Sequence, residues 1–284
     1  MIFLGTAAAD GFPNPFCNCP LCVEARRRPE LSRLRSSFLL DARNLIDCGP
    51  DFNAAVIRNH LDVSDLRNIY LTHTHEDHFC PSNAGLLSMS RTRTDLPINL
   101  YLSEQAYAVV TRQLDLLRDA FGQNDAVKAV TKGRVLLHPV RPGEAFESDG
   151  YEVLPVHSTH TASSVENAIN FRFTKDGKSL LYACDTGYYI QESLDVLKGS
   201  RLDYLVMEGT WGNTTTKPED SHLHAYAFLK QLDTFKKYDI IREDTKIYCT
   251  HINHKHEWNH ETYQAFFDSN PDYKVTVAYD GLEI

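Results

Sequence analysis

The 284-residue sequence has no apolar run approaching the roughly 20 residues that a membrane-spanning helix needs. It also lacks an excess of positive charge, carrying a net −9 at pH 7. A general nucleic-acid binder needs a basic face to neutralise phosphates, so the acidic balance argues against nucleic acid as a partner. A small anionic substrate stays open, because metal ions can supply the local positive charge. The one dense basic cluster, Arg26, Arg27 and Arg28, reads as a solvated helix end. The start, MIFLGTAAADGFPNP, lacks the basic segment and long apolar stretch of a secretory signal, which leaves the cytoplasm as the default expectation. No repeat, low-complexity tract or Gly/Ser linker interrupts the chain, so a single domain over residues 1–284 is expected, with a homodimer left open.

Seven cysteines are present, an odd number, and three of them crowd into Cys17-Asn18-Cys19-Pro20-Leu21-Cys22. In a chain expected to be cytosolic, such crowding suggests metal binding rather than a disulfide framework. Cys48, Cys80, Cys184 and Cys249 are scattered through apolar stretches and read as packing residues. Short β-rich runs alternate with amphipathic segments. Strands are expected at 2–5, 37–40, 44–47, 68–72, 98–102, 151–156, 168–173, 179–183, 204–208, 246–250 and 274–278. Helices are expected at 51–60, 103–121, 191–197, 221–237 and 260–267. In the second of these, Ala106, Val109, Val110, Leu114, Leu117 and Phe121 make one apolar stripe at helical spacing. Two sheets packed together and covered by helices fit this α/β pattern, although propensity alone does not select it.

The segment that carries chemistry is Leu71-Thr72-His73-Thr74-His75-Glu76-Asp77-His78, directly after an apolar run. Where the chain is still extended, residues two apart point the same way, so His73 and His75 can grip one ion. Asp77 and His78, at the following turn, project toward a second position. Imidazoles and a carboxylate suit zinc, manganese or iron, and a pair of such ions can clamp the attacking and leaving oxygens of a displacement.

His-x-His-x-Asp-His after a strand resembles the metal-binding motif of the metallo-β-lactamase superfamily. The resemblance implies an αββα sandwich, two mixed β-sheets flanked by helices, with metals at the strand ends. It also implies three further ligands downstream. Val153-Leu154-Pro155-Val156-His157-Ser158-Thr159-His160 offers the first, with His160 preferred over His157. Cys184-Asp185-Thr186-Gly187 offers Asp185 as the bridge, and Tyr248-Cys249-Thr250-His251 offers the last histidine. His73, His75 and His160 would then surround one divalent ion and Asp77, His78 and His251 the other, with Asp185 touching both. Asp47, in Leu45-Ile46-Asp47-Cys48-Gly49, would support rather than ligate.

Within the superfamily, the sequence is similar at both ends to the phosphoribosyl cyclic phosphate phosphodiesterases of the carbon–phosphorus lyase pathway. The zinc loop at about 14–27 resembles that family's structural zinc site, which implies Cys17, Cys19 and Cys22 as thiolate ligands. His254, three residues after His251, would be the fourth. Met207-Glu208-Gly209-Thr210 and Ser221-His222-Leu223-His224 also match. The resemblance implies a catalytic histidine at this helix start, with His222 the match and His224 the alternative. His222 would protonate the leaving oxygen while a water acidified by the ions attacks phosphorus; Asp77 is the second catalytic candidate. Pro81 and Ser82 depart from the family pattern, and 103–140 reads as a helical insertion. The expected function is hydrolysis of a small cyclic phosphate ester. The competing readings are a nuclease-like relative acting on RNA or DNA ends, and a non-hydrolytic accessory protein of cofactor biosynthesis.

Overall fold

The computed structural model describes residues 1–92, 96–122, 124–216 and 221–284. Its first sheet has six strands in sequential order: β1 (Ile2–Gly5), β2 (Ser37–Asp41), β3 (Asn44–Ile46), β4 (Asn68–Tyr70), β5 (Ile98–Ser103) and β6 (Val135–Val140). The first three pair antiparallel, and β3 to β6 run parallel. The second sheet takes the reverse order, from β13 (Val275–Val277) through β12 (Ile241–Thr250), β11 (Leu202–Glu208), β10 (Lys178–Ala183) and β9 (Glu166–Lys175) to β8 (Tyr151–Ser163) and β7 (Phe146–Ser148). Here β10 to β13 run parallel, and β7 to β10 pair antiparallel.

The two sheets meet through aromatic side chains. Phe3, Phe38 and Tyr70 from one pack against Phe171, Phe173 and Tyr182 from the other. The Tyr70 and Phe173 rings meet edge-on at 4.9 Å. Each such fully buried side chain contributes about 1.5–3 kcal/mol of transfer free energy. The outer face of the second sheet is covered by α6 (Gln191–Leu197), α7 (Ala225–Lys237) and α8 (His260–Asp268), through Leu194, Leu197, Phe228, Leu232, Phe235 and Phe267. On the first sheet the cover comes from α2 (Phe52–Arg58), α3 (Pro81–Met89), α4 (Glu104–Phe121) and α5 (Asp125–Thr131). A short α1 (Pro20–Arg27) precedes β2. The result is the αββα sandwich that the resemblance implied.

Several sequence expectations change. The stretch expected as a helical insertion at 103–140 ends in β6, which extends the first sheet beside β5. Pro139 lacks an N–H, and an edge strand can do without it. Helix α4 keeps only part of its expected stripe: Ala106 and Val110 are buried, whereas Phe121 is 72% exposed. Pro81, the departure from the family pattern, stands at a helix start. It opens α3, where its missing N–H would have no partner in any case. The helix expected from 221 begins only at Ala225, because the His224 side chain caps it by accepting from the Ala227 N–H.

Candidate functional site

The candidate donors sit mainly where strands stop. β3 ends at Ile46 and delivers Asp47; β4 ends at Tyr70 and delivers the histidine-rich loop. β10 leads into Asp185, β11 ends on Glu208, and β12 leads into His251. Because β3 and β4 run parallel, as do β10, β11 and β12, the C-terminal ends in each sheet lie along one edge. Asp47, Asp185 and His251 have φ of 58°, 52° and 55°. Non-glycine residues use this left-handed region sparingly, at about 1–3 kcal/mol each, and such strain collects at functional sites. Gly49 allows the loop to close down on β3, since a Cβ there would lie 1.9 Å from the Asp77 carbonyl oxygen.

The structure brings the expected residues together in two adjoining groups. His73, His75 and His160 offer ring nitrogens within 4.8 Å of one another. His75 Nδ1 is 3.0 Å from His73 Nε2 and 3.2 Å from His160 Nε2. The second group holds His78, Asp185 and His251, with the buried Cys184 thiol among them. Asp77 Oδ2 lies 3.1 Å from His78 Nε2 and 3.6 Å from His251 Nε2. Asp185 stands between the groups. Its Oδ2 is 2.6 Å from His78 Nε2 and 3.5 Å from His73 Nε2, and its Oδ1 is 3.2 Å from His251 Nε2.

Each clustered histidine turns its other nitrogen to an outer partner, which fixes the ring. His73 Nδ1 faces the Thr72 hydroxyl at 3.0 Å, and His75 Nε2 donates to the Ala162 carbonyl at 2.7 Å. His160 Nδ1 faces the Ser221 hydroxyl at 2.9 Å, His78 Nδ1 meets Asp47 at 2.7 Å, and His251 Nδ1 faces the Thr210 hydroxyl at 2.9 Å. This is the arrangement by which proteins orient metal-binding imidazoles. Burial drives the His73 pKa well below its ordinary value. Burial opposes protonation of His78 too, yet the Asp77, Asp185 and Asp47 carboxylates hold its pKa well above normal.

These residues fit divalent metal. His78 Nε2, Asp185 Oδ1 and His251 Nε2 are buried and have no hydrogen-bond partner, despite lying within ion-pair distance of one another's groups. Buried polar atoms are rarely left unpaired. Convergence of donors without hydrogen-bond geometry is what a shared cation requires.

His222 lies beside both groups. Its Nδ1 is 2.7 Å from Glu208 Oε1 and 3.4 Å from Asp185 Oδ1, and its side chain is 16% exposed. Burial works against its protonation, but Glu208 dominates and raises its pKa to about 9. Trp211 stands edge to face with it at 5.8 Å. The two alternatives weighed in the sequence lie elsewhere. His157 is half-exposed and 4.0 Å from Glu192, while His224 caps α7. His157 and His160 lie three apart on β8, so alternation puts them on opposite faces, and His160 is buried with Val156 and Ser158 while His157 faces out.

Glu208 itself was not assigned a role from sequence. It is fully buried and also accepts from the Thr186, Thr210 and Leu223 N–H groups, so it ties three loops to His222. An acid closing the apolar run Leu205-Val206-Met207 was the available signal, the same one that marks Asp47 and Asp185.

At the other end of the chain, Cys17, Cys19, Cys22 and His254 offer donors within 4.8 Å of one another. The Cys19 and Cys22 N–H groups donate to the sulfurs of Cys17 and Cys19, each at 3.5 Å. Burial pushes the Cys22 thiol up to about 12. His254 Nδ1 and Asp10 Oδ2 are 2.8 Å apart, and neither makes a hydrogen bond. Three sulfurs and an imidazole match a closed tetrahedral zinc site. A cavity of about 590 Å³, lined by Phe12, Arg33, Trp258 and Tyr279 among others, borders His254 but includes none of the clustered histidines. The histidine cluster and this cavity therefore lie apart.

A family model described as the beta-lactamase superfamily domain matches residues 42–252. The chain belongs to the metallo-β-lactamase superfamily. Members of this superfamily bind divalent metals at the strand ends, and the chain is hydrolase-like in fold. Coenzyme PQQ synthesis protein B of Acinetobacter baumannii (strain AB0057) is 26% identical, covering 99% of this chain and 98% of its own. Among solved structures, a diphosphatase of the PhnP family superposes with a TM-score of 0.71 at 26% identity, covering 99% of this chain and 94% of its own. Zinc-bound PqqB from Methylobacterium extorquens also reaches 0.71, at 21% identity, over 99% of this chain and 98% of its own. At that identity the last likeness speaks for the fold alone. Among the described residues, no helix is long and apolar enough to cross a membrane.

Proposed function

We propose that this protein is a dinuclear-metal phosphodiesterase acting on a small phosphate ester, with a cyclic ribose phosphate as the preferred candidate. The observation that carries this reading is the His222–Glu208 pair, set 3.4 Å from the Asp185 carboxylate that lies between the two donor groups. One ion would be held by His73, His75 and His160, the other by Asp77, His78 and His251, with Asp185 shared. Zinc or manganese suits these donors, and iron is compatible. The bound ions would supply Lewis acidity toward a phosphoryl oxygen and lower the pKa of water toward neutrality. Glu208 holds the proton on His222 Nδ1 and turns Nε2 toward the leaving oxygen, which it protonates. Such general-acid help is worth about 10²–10⁴ in rate. Cys17, Cys19, Cys22 and His254 would hold a structural zinc that pins the N-terminal loop beside the His251 segment.

The likeness to a PhnP-family diphosphatase supports phosphorus chemistry. A second reading, an accessory role in cofactor synthesis, is favoured by the full-length match to Coenzyme PQQ synthesis protein B. The test is hydrolysis of bis-(p-nitrophenyl) phosphate and cyclic ribose phosphates by metal-loaded protein, beside His75→Ala. Activity present in the wild type and lost in the variant supports the first reading. A fully metallated wild type inert toward both substrates supports the second.

A further inference from the structure

Glu166 is a buried acid that the proposed chemistry does not use. It begins β9 at the tip of the β8–β9 hairpin and is 2% exposed, although its neighbour Val165 is 64% exposed. Among the described residues no cation pairs with it. A buried carboxylate without a cation is costly unless hydrogen bonds compensate, and Glu166 has two, both from Thr74. The Thr74 N–H donates to Oε1 at 2.8 Å and the Thr74 hydroxyl donates to Oε2. Thr74 is the residue between His73 and His75.

The same hairpin supplies the outer partner of His75, since Ala162, near its tip, accepts from His75 Nε2. That bond leaves Nδ1 as the atom facing the ion, whereas His73 and His160 offer Nε2. The hairpin is anchored in turn by α4, where the Gln105 side chain accepts from the Asn167 N–H at 2.9 Å. Thus the tip grips the ligand loop at two points and is gripped from behind at a third.

We infer that the β8–β9 hairpin tip is a clamp for one ion of the pair. In it Glu166 is a positioning residue for His75, and the start of α4 braces the clamp through Gln105. This rests on the reading that His73, His75 and His160 hold an ion. A clamp that sets ligand geometry changes metal affinity selectively, whereas a merely structural hairpin contact changes only stability.

The experiment is zinc competition against a chromophoric chelator, using apoprotein reconstituted with zinc alone, for the wild type, Glu166→Ala, Glu166→Gln, Gln105→Ala and His75→Ala. Glu166→Ala should weaken one zinc equivalent about 10- to 100-fold and leave the others unchanged, the usual cost of losing an outer partner of a metal ligand. Glu166→Gln keeps an acceptor for the Thr74 N–H and should retain most of the affinity. Gln105 is exposed, so Gln105→Ala will fold, and it should weaken the same equivalent by a smaller factor. Wild-type affinity at every equivalent in both Glu166→Ala and Gln105→Ala would overturn the clamp, as would Glu166→Gln binding as weakly as Glu166→Ala. If His75→Ala also retains every equivalent, the assignment of that ion fails instead.

Discussion

The histidine cluster and the cysteine cluster come within three residues of each other in the chain, His251 in one and His254 in the other, yet they are built in opposite ways. Three of the four donors in the cysteine group lie within six residues, so a loop and the first turn of α1 suffice to assemble them. The histidine group draws on the ends of β4, β10 and β12 and on the bulged part of β8, so it exists only once both sheets have packed. Every clustered histidine there has an outer partner, and several of those partners come from further loops. The cysteines instead receive N–H groups from their own loop. A local cluster can stabilise a fold, while a distributed one depends on it and leaves a side open for chemistry.

The largest effect that would sharpen this contrast is expected at Asp185, which lies between both histidine groups. Asp185→Asn should empty that centre and lower phosphodiester hydrolysis about a thousandfold or more, because several kcal/mol of transition-state stabilisation go with the ions. The cysteine site should keep its zinc in the same preparation, which metal analysis will show. Next, His222→Ala should cost about 10²–10⁴ in kcat with metal content unchanged. The loss should shrink for substrates whose leaving group needs no proton, a dependence that kinetics on a series of aryl esters will reveal.

On the other side of the comparison, Cys22→Ser should release the structural zinc and lower Tm by roughly 5 °C or more, as about 2 kcal/mol would for a chain of this size. Calorimetry measures it. Should the histidine centre lose its ions equally, the two sites are not independent and the contrast breaks.

The smallest effect concerns the contact that ties the N-terminal segment to the C-terminal tail. Asp280 accepts from the Thr6 hydroxyl and the Leu34 N–H and pairs with Arg58, yet burial raises its pKa from 3.8 to about 6. A carboxyl raised in the folded state contributes stability below its unfolded pKa and loses that contribution as pH rises through 6. Relative to Asp280→Asn, the wild type should therefore lose up to ~2 kcal/mol between pH 4 and pH 7. Urea titrations of both proteins across that range test the slope.

The same contrast explains what was legible in the sequence. His73, His75, Asp77 and His78 could be read directly because four donors share one short loop, and the three cysteines for the same reason. Asp185 and His251 were reachable only through the order of strand ends that the superfamily resemblance supplied. Glu208, Thr210 and Ser221 were not legible as partners, since nothing in their own segments says which imidazole they face. Alternation puts His157 and His160 on opposite faces of β8, but nothing in their own segment says which face turns inward. In the fold, α3 was missed because PSNAGLLSM is a weak helix former. Its Gly85 lies where α5 packs closely, a Cβ there coming within 3.3 Å of Asp125. β6 was missed because Pro139 counts against a strand unless its edge position is known.

The most direct test of two independent metal sites is anomalous diffraction at the zinc edge from crystals of the zinc-loaded protein. The account predicts three peaks. Two should lie about 3.5–4 Å apart, flanking Asp185 among the histidines, and one should sit among Cys17, Cys19, Cys22 and His254. A single peak among the histidines, or none among the cysteines, would contradict it.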